Sequence, residues 1–144
     1  MSIKQISVFL ENKPGTLETM TQLLADNQID MRAMSLAEAE GFGIVRFIVD
    51  DIYETLTVLK DADFICKMTN VVAVSIPDEP GGLNSVLGVF RKAGVNIDYM
   101  YAFLGGRNIN HAYMIFKVAD VETASDVLRK AGIRIVEQEE ISAL

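Results

Sequence analysis

Residues able to do covalent chemistry are scarce and scattered along these 144 residues. His111 is the single histidine, and no Cys or Ser partner for it is identifiable from the sequence. A nucleophile–base pair and a multi-histidine metal site therefore have little to build on. Ser85 and Ser142 stand in no nucleophile motif, and Glu139-Glu140 has the character of a solvated tail. Cys66 is the lone cysteine, so no internal disulfide is possible, and among apolar neighbours it acts as a small hydrophobe. No GxxxxGK[ST] phosphate loop is present; Gly105-Gly106 suits a hairpin turn. The expectation is a chain with no catalytic residue, no metal and no cofactor.

What the chain does offer is binding chemistry, at two loops. They are Glu11-Asn12-Lys13-Pro14-Gly15-Thr16-Leu17 and Asp78-Glu79-Pro80-Gly81-Gly82-Leu83. Glycine lets a ligand approach the backbone closely, and the N–H groups that open a helix attract an anion such as a carboxylate. Asn12 or Asp78 can receive an ammonium. Further on, Asp30-Met31 and Asn96-Ile97 each set a polar group before an apolar one. A carboxylate site, an ammonium site and an apolar wall make up the chemistry of a free amino acid. An x-Pro-Gly-x by itself is also a plain turn followed by a cap, and the residues alone leave that alternative open.

A second motif competes. Glu40-Gly41-Phe42-Gly43-Ile44-Val45-Arg46-Phe47 nearly spells the octamer of an RNA-recognition motif. Such motifs stack bases on aromatic side chains of an open sheet face. Here Ile44 stands at one ring position, and the leading cation is replaced by Glu40. The first strand offers only Phe9 near its end, and the matching strand of the second half, from His111, has no glycine pattern. The chain carries 20 acidic against 13 basic residues, a net charge of −7 that repels a phosphate backbone. The octamer is better explained as a strand after a Gly turn, with Val45, Phe47 and Val49 facing the core.

The elements that must position the loops come in duplicate. Shifted by 66 residues, 11–31 falls on 77–97, with Pro14-Gly15 on Pro80-Gly81, Leu17 on Leu83, Leu24 on Phe90 and Asp30 on Asn96. Beyond that the offset becomes 69, and the three extra residues fall in 105–110. Half the residues are hydrophobic and 23% charged, with a mean hydropathy of +0.25, enough to give each copy a core. The predicted units are 1–70 and 71–144.

Each unit reads strand, helix, strand, strand, helix, strand. Ile6, Val8 and Leu10 alternate as a half-buried strand; Leu17, Met20 and Leu24 follow at helical spacing, with Pro14 suited to a helix start. Strands are predicted near 30–38 and 43–49. Asp50 or Asp51 can cap a helix striped by Ile52, Leu56 and Leu59, and Phe64 to Met68 closes the unit. In the second unit Val72, Val74 and Ile76 form the first strand, and Leu83, Val86, Leu87 and Phe90 the helix stripe. Asp120 caps a helix with Val121, Ala124, Val127 and Leu128 inward, and 133–136 is the last strand. The tail EQEEISAL fits a short helix or a frayed end. Only Met68-Thr69-Asn70 separates the units, so they should pack rigidly. This order gives an α+β fold: two ferredoxin-like βαββαβ units, each an antiparallel four-stranded sheet with helices on one face. The other face shows Phe9, Ile44, Ile48, Ala73, Tyr113 and Ile115, too apolar to stay bare, so a cover is expected.

The pattern N/D-x-P-G-x-L, then a helix, then G-V-N-I on the next strand, resembles the ACT domain. The resemblance covers both copies, nearly all of 1–137. The second copy is close to it, while the first has Asp30 for the usual Asn and Asn27 near the usual Gly. The whole chain resembles stand-alone tandem ACT proteins, non-catalytic modules that bind amino acids and control metabolic enzymes. By that resemblance, ligand-binding roles pass to Asn12, Gly15, Thr16, Leu17 and Asp30, and to Asp78, Gly81, Gly82, Leu83 and Asn96. The resemblance places such ligands where ACT units meet. It implies a free amino acid as ligand and a regulated enzyme as partner; the apolar sheet faces suggest a homodimer, with the two copies covering each other as the alternative, and the charge and the lack of a long apolar run speak against nucleic acid and membrane. A scaffold whose sites have lapsed is the alternative. The N-terminus lacks a signal peptide's apolar core and cleavage site, and no apolar run approaches the ~18 residues of a membrane span; the cytoplasm is the expected location.

Overall fold

A computed structural model describes residues 2–104 and 110–144, and divides the chain into two compact units, residues 4–69 and residues 70–144 together with the residues before Lys4. The turn expected at Gly105-Gly106 lies outside the described residues.

The first unit is built from β1 (Ile3–Glu11), α1 (Thr16–Asp26), β2 (Met31–Ala39), β3 (Phe42–Val49), α2 (Ile52–Asp61) and the start of β4 (Ile65–Pro77). Its sheet runs β2-β3-β1-β4. Register follows the apolar alternation: Ile6 lies opposite Phe47, Val8 opposite Val45, and Met34 opposite Phe47 from the other side. A one-residue slip would turn this whole set to the wrong face. Ile6, Val8, Leu10, Val45, Phe47 and Val49 pack against Met20 and Leu24 of α1 and Ile52 and Leu59 of α2. Val45, Phe47 and Val49 are fully buried, as the alternation requires. α2 begins where Asp51 accepts the Glu54 N–H at 3.0 Å.

The second unit repeats the order. After the end of β4 come α3 (Gly82–Lys92), β5 (Ile97–Ala102), β6 (His111–Val118), α4 (Val121–Lys130) and β7 (Arg134–Ile135). Here β7 pairs β4, β4 pairs β6, and β6 pairs β5, all antiparallel. Phe90 and Phe116 meet edge to face, ring centroids 5.3 Å apart, at the centre of its core. Such a pair adds about 0.5–1.5 kcal/mol beyond the area it buries. Asp120 caps α4 by accepting the Thr123 N–H at 3.1 Å.

Two boundaries differ from the sequence reading. Met68-Thr69-Asn70 is not a linker: β4 runs through it from Ile65 to Pro77. No Gly or Pro interrupts this stretch, and Thr69, Val71 and Val72 favour extended backbone. β7 is shorter than 133–136, because only Arg134 and Ile135 pair with β4. Val136 still donates its N–H to Ala73 at 2.8 Å. The chain then turns into a 3₁₀ segment, Gln138–Ala143, that buries Ile141, so the tail is a short helix.

Opposite the helices, Ile48, Ala73, Tyr113 and Ile115 are buried and Ile44 is half-buried, while Phe9 stays 39% exposed. On the same face Phe42, the first residue of β3, is 57% exposed.

Candidate functional site

Both Pro-Gly loops fold in the same way. Gly15 and Gly81 sit just before α1 and α3 with φ of 91° and 87°, a left-handed conformation that glycine adopts without steric cost. Neither helix receives a side-chain cap at this position. The Gly15 carbonyl accepts the Thr19 N–H and hydroxyl, and the Gly81 carbonyl accepts those of Ser85. The Thr16 and Gly82 N–H groups turn back to the Lys13 and Glu79 carbonyls. The next two, those of Leu17 and Glu18 and of Leu83 and Asn84, donate to nothing among the described residues. Each helix therefore starts with open donors, carrying the positive end of its dipole.

Each loop also walls a groove within its own unit. In the second unit the groove holds about 470 Å³ between Pro77, Glu79, Gly81 and Gly82 on one side and His111, Ile133 and Arg134 on the other. In the first it holds about 370 Å³, between Glu11, Lys13 and Thr16 and the Asp63-Phe64-Ile65 stretch. Antiparallel pairing explains the far wall: Arg134 lies opposite Ser75, two residues from the end of β4. Nothing in the loop motif signals Asp63, His111 or Arg134; sheet order alone brings them in.

The loops differ in detail. Thr16 donates its hydroxyl to the Glu11 carbonyl at 2.8 Å and to that of Lys13 at 3.0 Å. Its counterpart Gly82 lies so close to β4 that a Cβ would meet the Pro77 carbonyl oxygen at 2.4 Å. In the first loop Lys13 pairs with Glu11 at 2.8 Å. Hydrogen bonding to Lys13, and then its charge, hold the Glu11 carboxyl below its ordinary range and raise the Lys13 ammonium. Among the described residues the second loop has no such pair: Asp78 and Glu79 are exposed, and the Asp78 N–H donates to the Asn110 carbonyl at 2.9 Å.

The ten expected site residues do not converge within a unit. Asn12, Gly15, Thr16 and Leu17 share one sheet end, as do Asp78, Gly81, Gly82 and Leu83 in the second unit. Asp30 and Asn96 lie at the other end, because each helix runs back along the sheet before β2 or β5 begins. Met31 lies opposite Val49, six residues along β3 from Gly43 beside the loop, roughly 20 Å at about 3.3 Å per residue. Asp30 faces Arg32 at 3.5 Å. Asn96 lines a separate groove with Asp98, Asp120 and Thr123. The Asp120 carboxyl is held below its ordinary range by the Thr123 N–H and then the Thr123 hydroxyl. Among the described residues, no group of three or more His, Cys, Asp or Glu could hold a metal ion. No helix among them is long and apolar enough to cross a membrane.

A family model described as an ACT domain pair matches residues 1–144. The chain belongs to this family. Its two units are ACT units with the ferredoxin-like fold read from the sequence. Protein BT0572 from Bacteroides thetaiotaomicron is 37% identical to this ACT pair, with a TM-score of 0.91 over 100% of this chain and 98% of that one. The ligand-free regulatory subunit of aspartate kinase from Thermus thermophilus has a TM-score of 0.65 at 18% identity, over 90% of this chain and 92% of that one. The regulatory subunit of aspartate kinase from Thermus flavus gives 0.61 at 16%, over 92% and 94%. At such identities these two show the shared fold. No curated protein matches the sequence. ACT domains are regulatory rather than catalytic modules, and the family match supports a small-molecule-binding regulatory role for the pair.

Proposed function

We propose that this ACT pair is a non-catalytic regulatory protein that binds a free amino acid at its Pro-Gly loops. The ligand carboxylate would lie on the open N–H groups at the start of α1 or α3, and its side chain in the groove beside them. The observation that carries this is the pairing of uncapped, glycine-started helices with adjacent grooves. A dedicated cap would occupy those donors; here they are left for another acceptor. The neighbours support the regulatory half, since two of them are regulatory subunits of aspartate kinase. By that likeness the chain acts in the cytoplasm on an enzyme partner. Exposed Leu36, Phe42 and Ile65 of the first unit suit assembly as a homodimer.

Ligand must shift stability by mass action if it binds the native state alone. A thermal-shift screen over the twenty standard amino acids at millimolar concentration tests the proposal. At least one should raise Tm in a saturable way; no shift with any of them refutes amino-acid sensing and leaves a scaffold.

A further inference from the structure

The sheet of the first unit ends on a strand whose outer side pairs with no other strand among the described residues. β2 closes the order β2-β3-β1-β4, and β3 takes up its inner side alone. Such an edge is commonly blunted by Pro, by Lys or by being short. β2 has none of these: it runs nine residues, Met31–Ala39, and its one irregularity lies near its start, between Met31 and Ala33. Its sequence, MRAMSLAEA, mirrors itself in chemistry about Ser35. Met34 answers Leu36, Ala33 answers Ala37, and Arg32 answers Glu38. Met34 and Leu36 lie on the helix face, opposite Phe47 and Val45 of β3, and Leu36 is 52% exposed. Glu38 is exposed and spends one carboxylate oxygen on the Gly41 N–H at 3.0 Å.

We propose that the chain pairs with a second copy of itself through β2, antiparallel, with Ser35 on the two-fold axis. This rests on the homodimer reading above and deepens it by naming the strand and its register. In a two-fold antiparallel pair about Ser35, each residue faces its mirror position in the other copy. Met34 then meets Leu36 on both sides of the axis, and two Arg32–Glu38 pairs form, one at each end. Opposite charges and apolar partners set face to face favour a strand pair. Neighbouring registers lose this match. An axis at Met34 sets Arg32 against Leu36, and an axis at Leu36 sets Glu38 against Met34. The outer edge of the second unit offers no equivalent. β5 is six residues long, its single charge is Asp98, and Lys117 holds that carboxylate at 3.3 Å.

The test uses the full chain and analytical ultracentrifugation. The wild type should sediment as a dimer. Arg32→Glu sets Glu against Glu at both ends of the pair, and Glu38→Arg sets Arg against Arg. Each should weaken the dimer by about tenfold, since two attractive cross-strand pairs become repulsive. Mixed one to one, the two variants face each other with opposite charges, so a heterodimer as tight as the wild type should form. A merely structural role for either residue would not produce that rescue. The register is read separately, in a Cys66→Ser background. Ser35→Cys puts its own copy opposite at a Cα separation of about 4.5–5.5 Å, within disulfide reach, and should cross-link under mild oxidation. Ala33→Cys alone sets the two sulfurs four residues apart, roughly 13 Å at about 3.3 Å per residue, and should not; mixed with Ala37→Cys it should. A dimer indifferent to both charge reversals, or no rescue on mixing, or cross-linking by Ala33→Cys alone, overturns the β2 interface and leaves a homodimer built elsewhere. A monomer at every concentration overturns the interface and the homodimer together, and neither result touches amino-acid binding, which the thermal-shift screen reads.

Discussion

Replacing Gly82 with Ala tests whether the second Pro-Gly loop is set by close backbone contact. The new Cβ would lie 2.4 Å from the Pro77 carbonyl oxygen, and relief to an ordinary contact needs a shift of that backbone. Pro77 is poorly free to move. It is the last residue of β4, opposite His111, and its carbonyl accepts the Glu79 N–H at 3.0 Å. Overpacking of this kind costs about 1–3 kcal/mol, offset by at most about 1 kcal/mol of better helix propensity. The net loss is about 0–3 kcal/mol, centred near 1–2, where Tm falls by about 2–8 °C at this chain length. Gly88 provides the control on the same helix. It lies inside α3, and a Cβ there meets nothing within 4 Å. Gly88→Ala should therefore gain about 0.5–1 kcal/mol. Calorimetry or circular dichroism on both variants decides the matter. If Gly82→Ala proves as stable as Gly88→Ala, the loop is looser than its geometry implies, and the argument for a preformed groove fails.

Asp51→Ala removes the acceptor of the Glu54 N–H and should cost about 1 kcal/mol, read as a lower urea midpoint; no change would show that α2 needs no cap. The Glu11 side chain should titrate below an ordinary glutamate in a carbon-detected NMR experiment, and Lys13→Gln should return it toward normal; an unmoved midpoint rules out the ion pair as the cause. Asp120 has a lowered folded-state pKa, so its cap stabilises above the ordinary aspartate range and fades as pH falls through the lowered value. The stability gap between the wild type and Asp120→Ala should accordingly shrink on acidification, and a gap that stays constant would refute that linkage.

The fold was legible because its signals are local and doubled. Ile6, Val8 and Leu10 alternate in one copy as Val72, Val74 and Ile76 do in the other, and all six are buried. Asp51 and Asp120 cap the helices that their positions suggested. The course of β4 and the shortness of β7 were less visible. Apolar alternation shows which face a residue takes, and says little about where a strand stops pairing.

Within one unit the expected site residues form no single constellation, for a reason of chain geometry. β1 ends at the Pro-Gly loop, α1 carries the chain back along the sheet, and β2 can begin only at the far end. Polar groups on the two sides of one helix, such as Asn12 and Asp30, are therefore held apart by the length of that helix. Eleven residues of α1 at about 1.5 Å each span roughly 16 Å, more than one small amino acid bridges. The partners of each loop come instead from the strand beside it: Phe64 and Ile65 in the first unit, Ile133 and Arg134 in the second. These lie about 50 residues downstream of their loops and carry no motif. What the sequence does hold is the contrast between the copies. Lys13 and Glu79 occupy one position in two equal folds with opposite charge. A duplicated fold holds the backbone geometry nearly constant, so a reversal of charge at one position changes what each loop can attract without changing the fold.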